Sequence, residues 1–114
     1  MFFNYKITTD NTIHFLELEG ELIDKNQAIE LIKNIEELIE GANCKVIMNL
    51  SELKYMNSSG LNVLIQLLTK TRIKGGDSVI YNVNKKINEL LIITKLNSLF
   101  KIASTKEEAI ELLK

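Results

Sequence analysis

The sequence alternates between strand-like and helix-like segments. Two strand-like segments, residues 3–9 and 12–18, come first around a turn at 9–12, and helical segments separate all the later strand-like ones. Parallel strands require such helical crossovers, which are right-handed. The order β-β-α-β-α-β-α-β-α therefore predicts an α/β fold. We expect a mixed β-sheet of about four to five strands, mostly parallel after an N-terminal hairpin, layered with about four α-helices.

Turn and capping residues mark the expected boundaries of these elements. Gly20 breaks the strand pattern after the second strand, 12–18, and Asp24, with Gln27 three residues later, predicts a capping box for the first helix. Gly41 is expected to end that helix. The later strands are predicted at 45–50, 78–81 and 100–102, and the later helices after Ser58-Ser59, over about 84–94, and after a Ser104–Glu107 capping box.

The second helix carries the widest apolar stripe, and it should end before Gly75-Gly76. We therefore expect it to be the most buried helix. Asn62 and Gln66 lie away from this stripe and are available to contact a partner, whereas Met56 fits either the core or a contact surface. The stripe consists of Leu61, Val63, Leu64, Ile65, Leu67 and Leu68.

The composition indicates a globular chain with no affinity for polyanions. At 114 residues and 46% hydrophobic residues, the chain can bury a core as one domain, 1–114. Its formal net charge of −1 provides no basic field for nucleic acid or anionic lipid. A single cysteine excludes an internal disulfide, and we find neither a signal peptide nor an apolar run long enough to insert into a membrane. We therefore expect a cytoplasmic protein.

The residues offer little for catalysis or for binding a metal or cofactor. His14, the only histidine, lies in a strand-like segment and is read as an ordinary sheet-face or surface residue, and Cys44 is read as a small buried hydrophobe. No CxxC, HExxH or Walker pattern occurs, which gives no support for a metal site or a P-loop. We expect no enzyme activity, no cofactor and no metal.

The segment Met56-Asn57-Ser58-Ser59-Gly60-Leu61 joins a strand-like segment to the second helix. Asn, Ser and Gly are favoured where a helix begins, because short polar side chains accept hydrogen bonds from its free N–H groups. The same position tolerates a phosphate, since the helix dipole favours negative charge there. Taken alone, these six residues favour a simple cap over a phosphorylated serine.

The wider sequence resembles the STAS domains, the sulfate-transporter and anti-sigma-factor-antagonist family. The span from Val46 to Leu61 resembles the core motif of that family, and three further pieces occur in the right order. These are Leu18-Glu19-Gly20-Glu21-Leu22, Gly75-Gly76 and Leu96-Asn97-Ser98-Leu99-Phe100-Lys101-Ile102. Together they cover nearly the whole chain.

A chain carrying only this domain is most similar to the bacterial anti-sigma factor antagonists. The resemblance implies that Ser58 is phosphorylated by an anti-sigma factor that is itself a serine kinase of the histidine-kinase-like ATPase type, with Ser59 as the second candidate. A PP2C-type phosphatase would reset the switch. Many antagonists have Asp where this chain has Asn57. The expected partner-binding residues are Asn57, Ser58, Ser59, Gly60, Gly20, Glu21, Asp24 and Asn62.

Two other functions remain open at this point. The chain fits an accessory STAS subunit of a transporter or signalling scaffold, which would bind one partner constitutively and use Ser58 only as a cap. It also fits a small-ligand or nucleotide-binding domain, although no phosphate-cradling motif supports that function.

Overall fold

The computed structural model contains a five-stranded mixed sheet and describes residues 2–10, 12–40 and 44–113. The first two strands are antiparallel, and each later strand lies parallel to the one before it. The spatial order is therefore the chain order, and the predicted sheet is confirmed. The strands are β1 (Phe3–Asp10), β2 (Ile13–Leu22), β3 (Lys45–Met56), β4 (Asp77–Tyr81) and β5 (Lys101–Ala103).

Four α-helices connect or follow the strands, as the sequence predicted. The Asp24–Gln27 capping box is confirmed, but it opens a 3₁₀ turn at Lys25–Ala28 that leads into the first helix. The predicted helix end at Gly41 and the turn residue Asn11 lie outside the described residues. Within the described ranges, no helix is long and apolar enough to span a membrane. The helices are α1 (Ile29–Leu38), α2 (Ser58–Ile73), α3 (Lys85–Ile93) and α4 (Lys106–Leu112).

The sheet buries apolar side chains on both faces. Alternate strand residues point to opposite faces, so Val46 and Met48 join a core with α1, α2 and α3, whereas Ile47 lies in a second, smaller cluster with α4. Helix α2 contributes five fully or nearly fully buried apolar side chains and a buried threonine, in agreement with the sequence-based expectation. These residues are Leu61, Val63, Leu64, Leu67, Leu68 and Thr71. Ile65 is partly buried beside them, and the backbone of Gly60 is buried as well.

The predicted end of the second strand at residue 18 is wrong. Strand β2 continues through Gly20 to Leu22, and Gly20 pairs with Leu53 of β3. Two register irregularities flank this residue, and its φ of +91° is one that glycine adopts without strain. An added Cβ there would also overlap the backbone oxygen of Phe2. Gly20 therefore bends the strand without ending it.

The predicted capping box at Ser104 is also wrong by one residue. Thr105 caps α4, and its Oγ1 accepts a hydrogen bond from the Glu108 N–H at 3.1 Å. The buried positions Ala109 and Leu113 are four residues apart and pack against the sheet. Their packing sets the phase of the helix, which the local sequence pattern did not determine.

His14 and Cys44 are both buried in the structure. His14 lies on the sheet face, where its Nδ1 is 2.8 Å from the Thr9 hydroxyl oxygen. The Cys44 thiol donates to the Ile39 carbonyl oxygen at 3.3 Å. The burial predicted for Cys44 is confirmed. For His14 the sequence allowed a place on the sheet face or on the surface, and the structure places it on the sheet face.

Candidate partner-binding site

Ser58 is the first residue of α2, directly after the end of the long central strand β3. The preceding residue, Asn57, has extended backbone geometry and caps the helix, with its Oδ1 accepting from the Gly60 N–H at 3.0 Å. Ser58 and Ser59 are both exposed. Because Asn57 does the capping, the Ser58 hydroxyl is not needed as the N-cap and is accessible to another protein.

Gly60 fixes the start of α2 against strand β2. A Cβ built on Gly60 would overlap the Leu22 carbonyl oxygen and crowd the Met56 side chain. Gly60 and Met56 are accordingly buried, although the serines beside them are exposed. The backbone of α2 therefore lies directly on the end of β2.

The segment Glu21–Asp24, next to the start of α2, is held by the side chain of Gln27. The Gln27 Oε1 accepts from the N–H groups of Ile23 and Asp24 at 2.8 and 3.0 Å. Its Nε2 donates to the Glu21 carbonyl oxygen at 3.1 Å. One amide side chain thus satisfies three backbone groups of the segment.

A second amide links this segment to α2. The Asn57 Nδ2 donates to the Ile23 carbonyl oxygen at 3.1 Å, across 34 residues of sequence. The segment Glu21–Asp24 and the helix start therefore form one continuous surface.

The predicted partner-binding residues occupy this surface with different exposure. Ser58, Ser59, Asn62 and Asp24 are exposed, and Asn57, Glu21 and Gly20 are partly exposed, whereas Gly60 is buried. Gly60 can shape the surface but contributes no side chain to it. Gly20 lies within β2 against Phe2, so it is separated from the helix start by Glu21 and Leu22.

The outer face of α2 continues the surface along the helix. Asn62 and Gln66 are exposed, in agreement with their predicted position, whereas Leu61 and Leu64 are in the core. Met56, for which the sequence left two readings, is 3% exposed and belongs to the core.

Two residues at this surface were missed as site residues. Gln27 was recognised only as a helix-capping residue, and its contacts to the Glu21–Asp24 backbone depend on the path of that segment in three dimensions. Tyr55 is 45% exposed in β3 and pairs with Glu21 of β2. An aromatic residue three positions before Ser58 was the available signal, because exposed tyrosines are common in protein interfaces.

The surface is suited to a protein partner and to a phosphate on Ser58. The first turn of α2 contains Ser58, Ser59, Gly60 and Leu61, which carry no side-chain charge. A phosphate there would meet the positive end of the helix dipole without a carboxylate in the same helical turn. A cavity of about 490 Å³ lies at the opposite end of α2, beside Lys70 and Lys74, and Ser58 does not line it.

A mixed five-stranded sheet with an exposed serine at the start of the helix after its central strand is the arrangement expected of a STAS domain. A model of the STAS domain matches residues 4–109, and this chain belongs to the STAS domain family. The anti-sigma F factor antagonist of Paenibacillus polymyxa is 31% identical over 88 residues, which are 76% of this chain and 72% of that protein. The family resemblance inferred from the sequence is confirmed.

Solved structures show the same fold. The anti-sigma factor antagonist SpoIIAA in its unphosphorylated form has a TM-score of 0.79 at 23% identity, covering 95% of this chain and 94% of that one. The phosphorylated form of the Bacillus cell fate determinant SpoIIAA has a TM-score of 0.74 at 21% identity, covering 97% and 100%. A sulfate transporter family protein from Wolinella succinogenes has a TM-score of 0.70 at 13% identity, covering 93% and 90%. At these identities the likeness establishes the fold alone.

Proposed function

We propose that this chain is an anti-sigma factor antagonist, a binding protein without enzyme activity that acts in the cytoplasm. In its unphosphorylated form it binds an anti-sigma factor that is also a serine kinase of the histidine-kinase-like ATPase type. Phosphorylation of Ser58 by that kinase ends the binding, and a PP2C-type phosphatase restores it. The similarity to an anti-sigma F factor antagonist supports this proposal at the level of the family.

The observation that carries the proposal is the exposed hydroxyl of Ser58 at the first position of α2. The helix is capped by Asn57 and not by Ser58, because the Asn57 Oδ1 accepts the hydrogen bond from the Gly60 N–H. A kinase can therefore reach Ser58 without unfolding the helix. The adjoining surface of Asp24, Ser59 and Asn62 is exposed as well and is available to the same partner.

The switch follows from the different cost of a phosphate in the free and the bound protein. A phosphate adds a charge of about −1.5 to −2. In the free protein this charge stays in water at a favourable helix terminus. In a complex that covers Ser58, burying it without a cation would cost several kcal/mol, and about 3 kcal/mol is already a hundredfold loss of affinity. Binding can thus be abolished without refolding either protein.

The test is a phosphotransfer assay with histidine-kinase-like ATPases from the same genome, each incubated with this protein and Mg-ATP. We expect one of them to phosphorylate the wild type and Ser59→Ala but not Ser58→Ala, with peptide mass spectrometry assigning the phosphate to Ser58. The two alanine variants differ by one exposed position, so each controls for the other. Phosphate on Ser59, or transfer that is equal in all three proteins, would contradict the assignment.

The same reagents distinguish the alternative of a constitutive accessory subunit. Such a subunit would bind one partner equally well as wild type, Ser58→Ala and Ser58→Asp, and none of the ATPases would phosphorylate it. The proposed antagonist would instead retain binding in Ser58→Ala and lose it in Ser58→Asp.

A further inference from the structure

Two helices of this protein begin with the same asparagine arrangement. Asn57 caps α2 with its Oδ1 and donates through Nδ2 to the Ile23 carbonyl oxygen at 3.1 Å. Asn84 caps α3 with its Oδ1, accepting from the Ile87 N–H at 2.9 Å, and donates through Nδ2 to the Leu53 carbonyl oxygen at 2.9 Å. In both asparagines, the side-chain oxygen accepts a hydrogen bond from the helix backbone, and the side-chain NH₂ group donates a hydrogen bond to another segment of the chain.

The donor group of Asn57 has a particular consequence, because the segment it holds is also held by Gln27. Gln27 binds the N–H groups of Ile23 and Asp24 and the carbonyl oxygen of Glu21. Asn57 binds a further carbonyl oxygen, that of Ile23. From these contacts we infer that Asn57 and Gln27 form an amide clamp that positions Glu21–Asp24 against the start of α2, and that aspartate at position 57 would release it.

The chemistry of the amide explains the second half of this inference. Asparagine and aspartate cap helices about equally well, so an aspartate at position 57 would still accept the Gly60 N–H. An ionised carboxylate has no hydrogen to donate. It would face the Ile23 carbonyl oxygen with like partial charge where the amide now makes a hydrogen bond. The substitution therefore removes the link to the segment while leaving the helix cap in place.

The clamp bears on partner binding if the proposed function is correct. A segment that is already fixed in the free protein loses no conformational freedom when a partner covers it, and this favours tight binding. Asn57 is then a positioning residue for the partner-binding surface, in addition to being a helix cap.

The first experiment uses the free protein and needs no partner. Hydrogen exchange of the Ile23 and Asp24 amides is followed by NMR in wild type, Asn57→Asp and Asn84→Asp. We expect Asn57→Asp to speed exchange at both amides about tenfold or more, with a melting temperature within a few degrees of wild type. Asn84→Asp makes the same chemical change at α3 and should leave both amides unaffected. Equal exchange in wild type and Asn57→Asp would overturn the clamp.

A separate variant tests the contribution of Gln27 to the clamp. Gln27→Met keeps the length of the side chain but offers no oxygen to the Ile23 and Asp24 N–H groups and no N–H to the Glu21 carbonyl oxygen. We expect it to speed exchange at the same two amides. Unchanged exchange would remove Gln27 from the clamp.

The second experiment measures binding of the same variants to the ATPase identified by the phosphotransfer assay. We expect Asn57→Asp to bind about tenfold or more weakly and Asn84→Asp to bind like wild type. Faster exchange with unchanged binding would show that the clamp does not position the partner surface. If wild type binds no ATPase, the proposed function fails, while the exchange result still decides whether the clamp exists.

Discussion

Ser58 and Ser59 are adjacent, exposed and chemically identical, so their difference is one of position alone. Ser58 directly follows the capping residue Asn57 and is the first residue of α2, whereas Ser59 lies one residue further into the helix. Residues at consecutive helical positions point about 100° apart. A partner that closes over one hydroxyl therefore does not close over the other in the same way.

We predict that Ser58→Asp weakens binding to the ATPase partner of the proposed function about a hundredfold or more. The added carboxylate stays in water in the free protein but must be buried in the complex, so the melting temperature should change by only about 1–2 °C. Titration calorimetry measures the affinity, and thermal unfolding measures the melting temperature. Ser59→Asp is the matched control and should retain more of the affinity. A large drop in the melting temperature of Ser58→Asp would instead make Ser58 a structural residue.

For individual residues of the site, the sequence predicted which residues matter better than it predicted their contacts. Asn57 was among the residues predicted to favour the start of a helix, and it does cap α2. Its donor bond to Ile23 was not predictable, because the two residues are 34 positions apart. Local patterns report on neighbours in sequence, whereas this bond depends on where β2 ends in space.

Helix α2 depends on backbone packing at its first turn. Gly60 lies so close to the Leu22 carbonyl oxygen that no side chain fits between them. Alanine would normally stabilise a helix by about 1 kcal/mol relative to glycine. Here the added methyl group would force α2 away from β2.

We predict that Gly60→Ala destabilises the protein by about 1–3 kcal/mol, the usual cost of overpacking a filled site. Chemical unfolding followed by circular dichroism measures the free energy. Ser59→Ala, one residue away and exposed, should be neutral or slightly stabilising. If Gly60→Ala is as stable as Ser59→Ala, the close packing of α2 on β2 is not important for stability.

Strand β3 was predicted to be shorter than it is. The sequence indicated 45–50, where buried residues dominate, but the strand continues to Met56. In its second half only Leu53 and Met56 are buried, every third residue, because the register with β2 is irregular there. The two-residue alternation typical of a strand is lost at such irregularities. The extension brings β3 directly up to Asn57.

An ionic cluster joins strands β4 and β5 to the end of α2 that lies away from Ser58. Asp77 of β4 accepts from Arg72 of α2 at 3.1 Å and pairs with Lys101 of β5 at 2.9 Å. Burial alone would raise the pKa of Asp77, but the bonds from Lys101, the Ser78 N–H and Arg72 outweigh it and hold the pKa below its ordinary value. The cluster thus favours the folded state wherever Asp77 is ionised.

We predict that Asp77→Asn lowers stability at neutral pH by about 1 kcal/mol, because the pairs are partly exposed. A carboxyl whose pKa is lowered by folding contributes stability above its unfolded pKa of about 4, and loses it as pH falls through the folded value. The difference between wild type and Asp77→Asn should therefore shrink in acid. Urea unfolding across this pH range measures it. Glu89→Gln, at an exposed carboxylate of α3, should show little difference at any pH, and a constant deficit for Asp77→Asn would contradict the ionic explanation.

The element order predicted the fold class because alternating strands and helices permit few arrangements. It did not indicate that α4 packs on the face of the sheet opposite to the other three helices. That choice depends on the small cluster around Ile47, Val79 and Ala109, whose members are far apart in the sequence.

The contact between Gly60 and Leu22 also bears on how such a domain can diversify. Both sides of that contact are backbone, so the position of the Ser58 hydroxyl does not depend on the exposed side chains around it. Ser59 and Asn62 are exposed and take no part in that contact, so they can change to suit a different partner while Ser58 stays in place. Duplicated copies of such a domain can in this way diverge in their choice of partner within one cell, through surface substitutions alone.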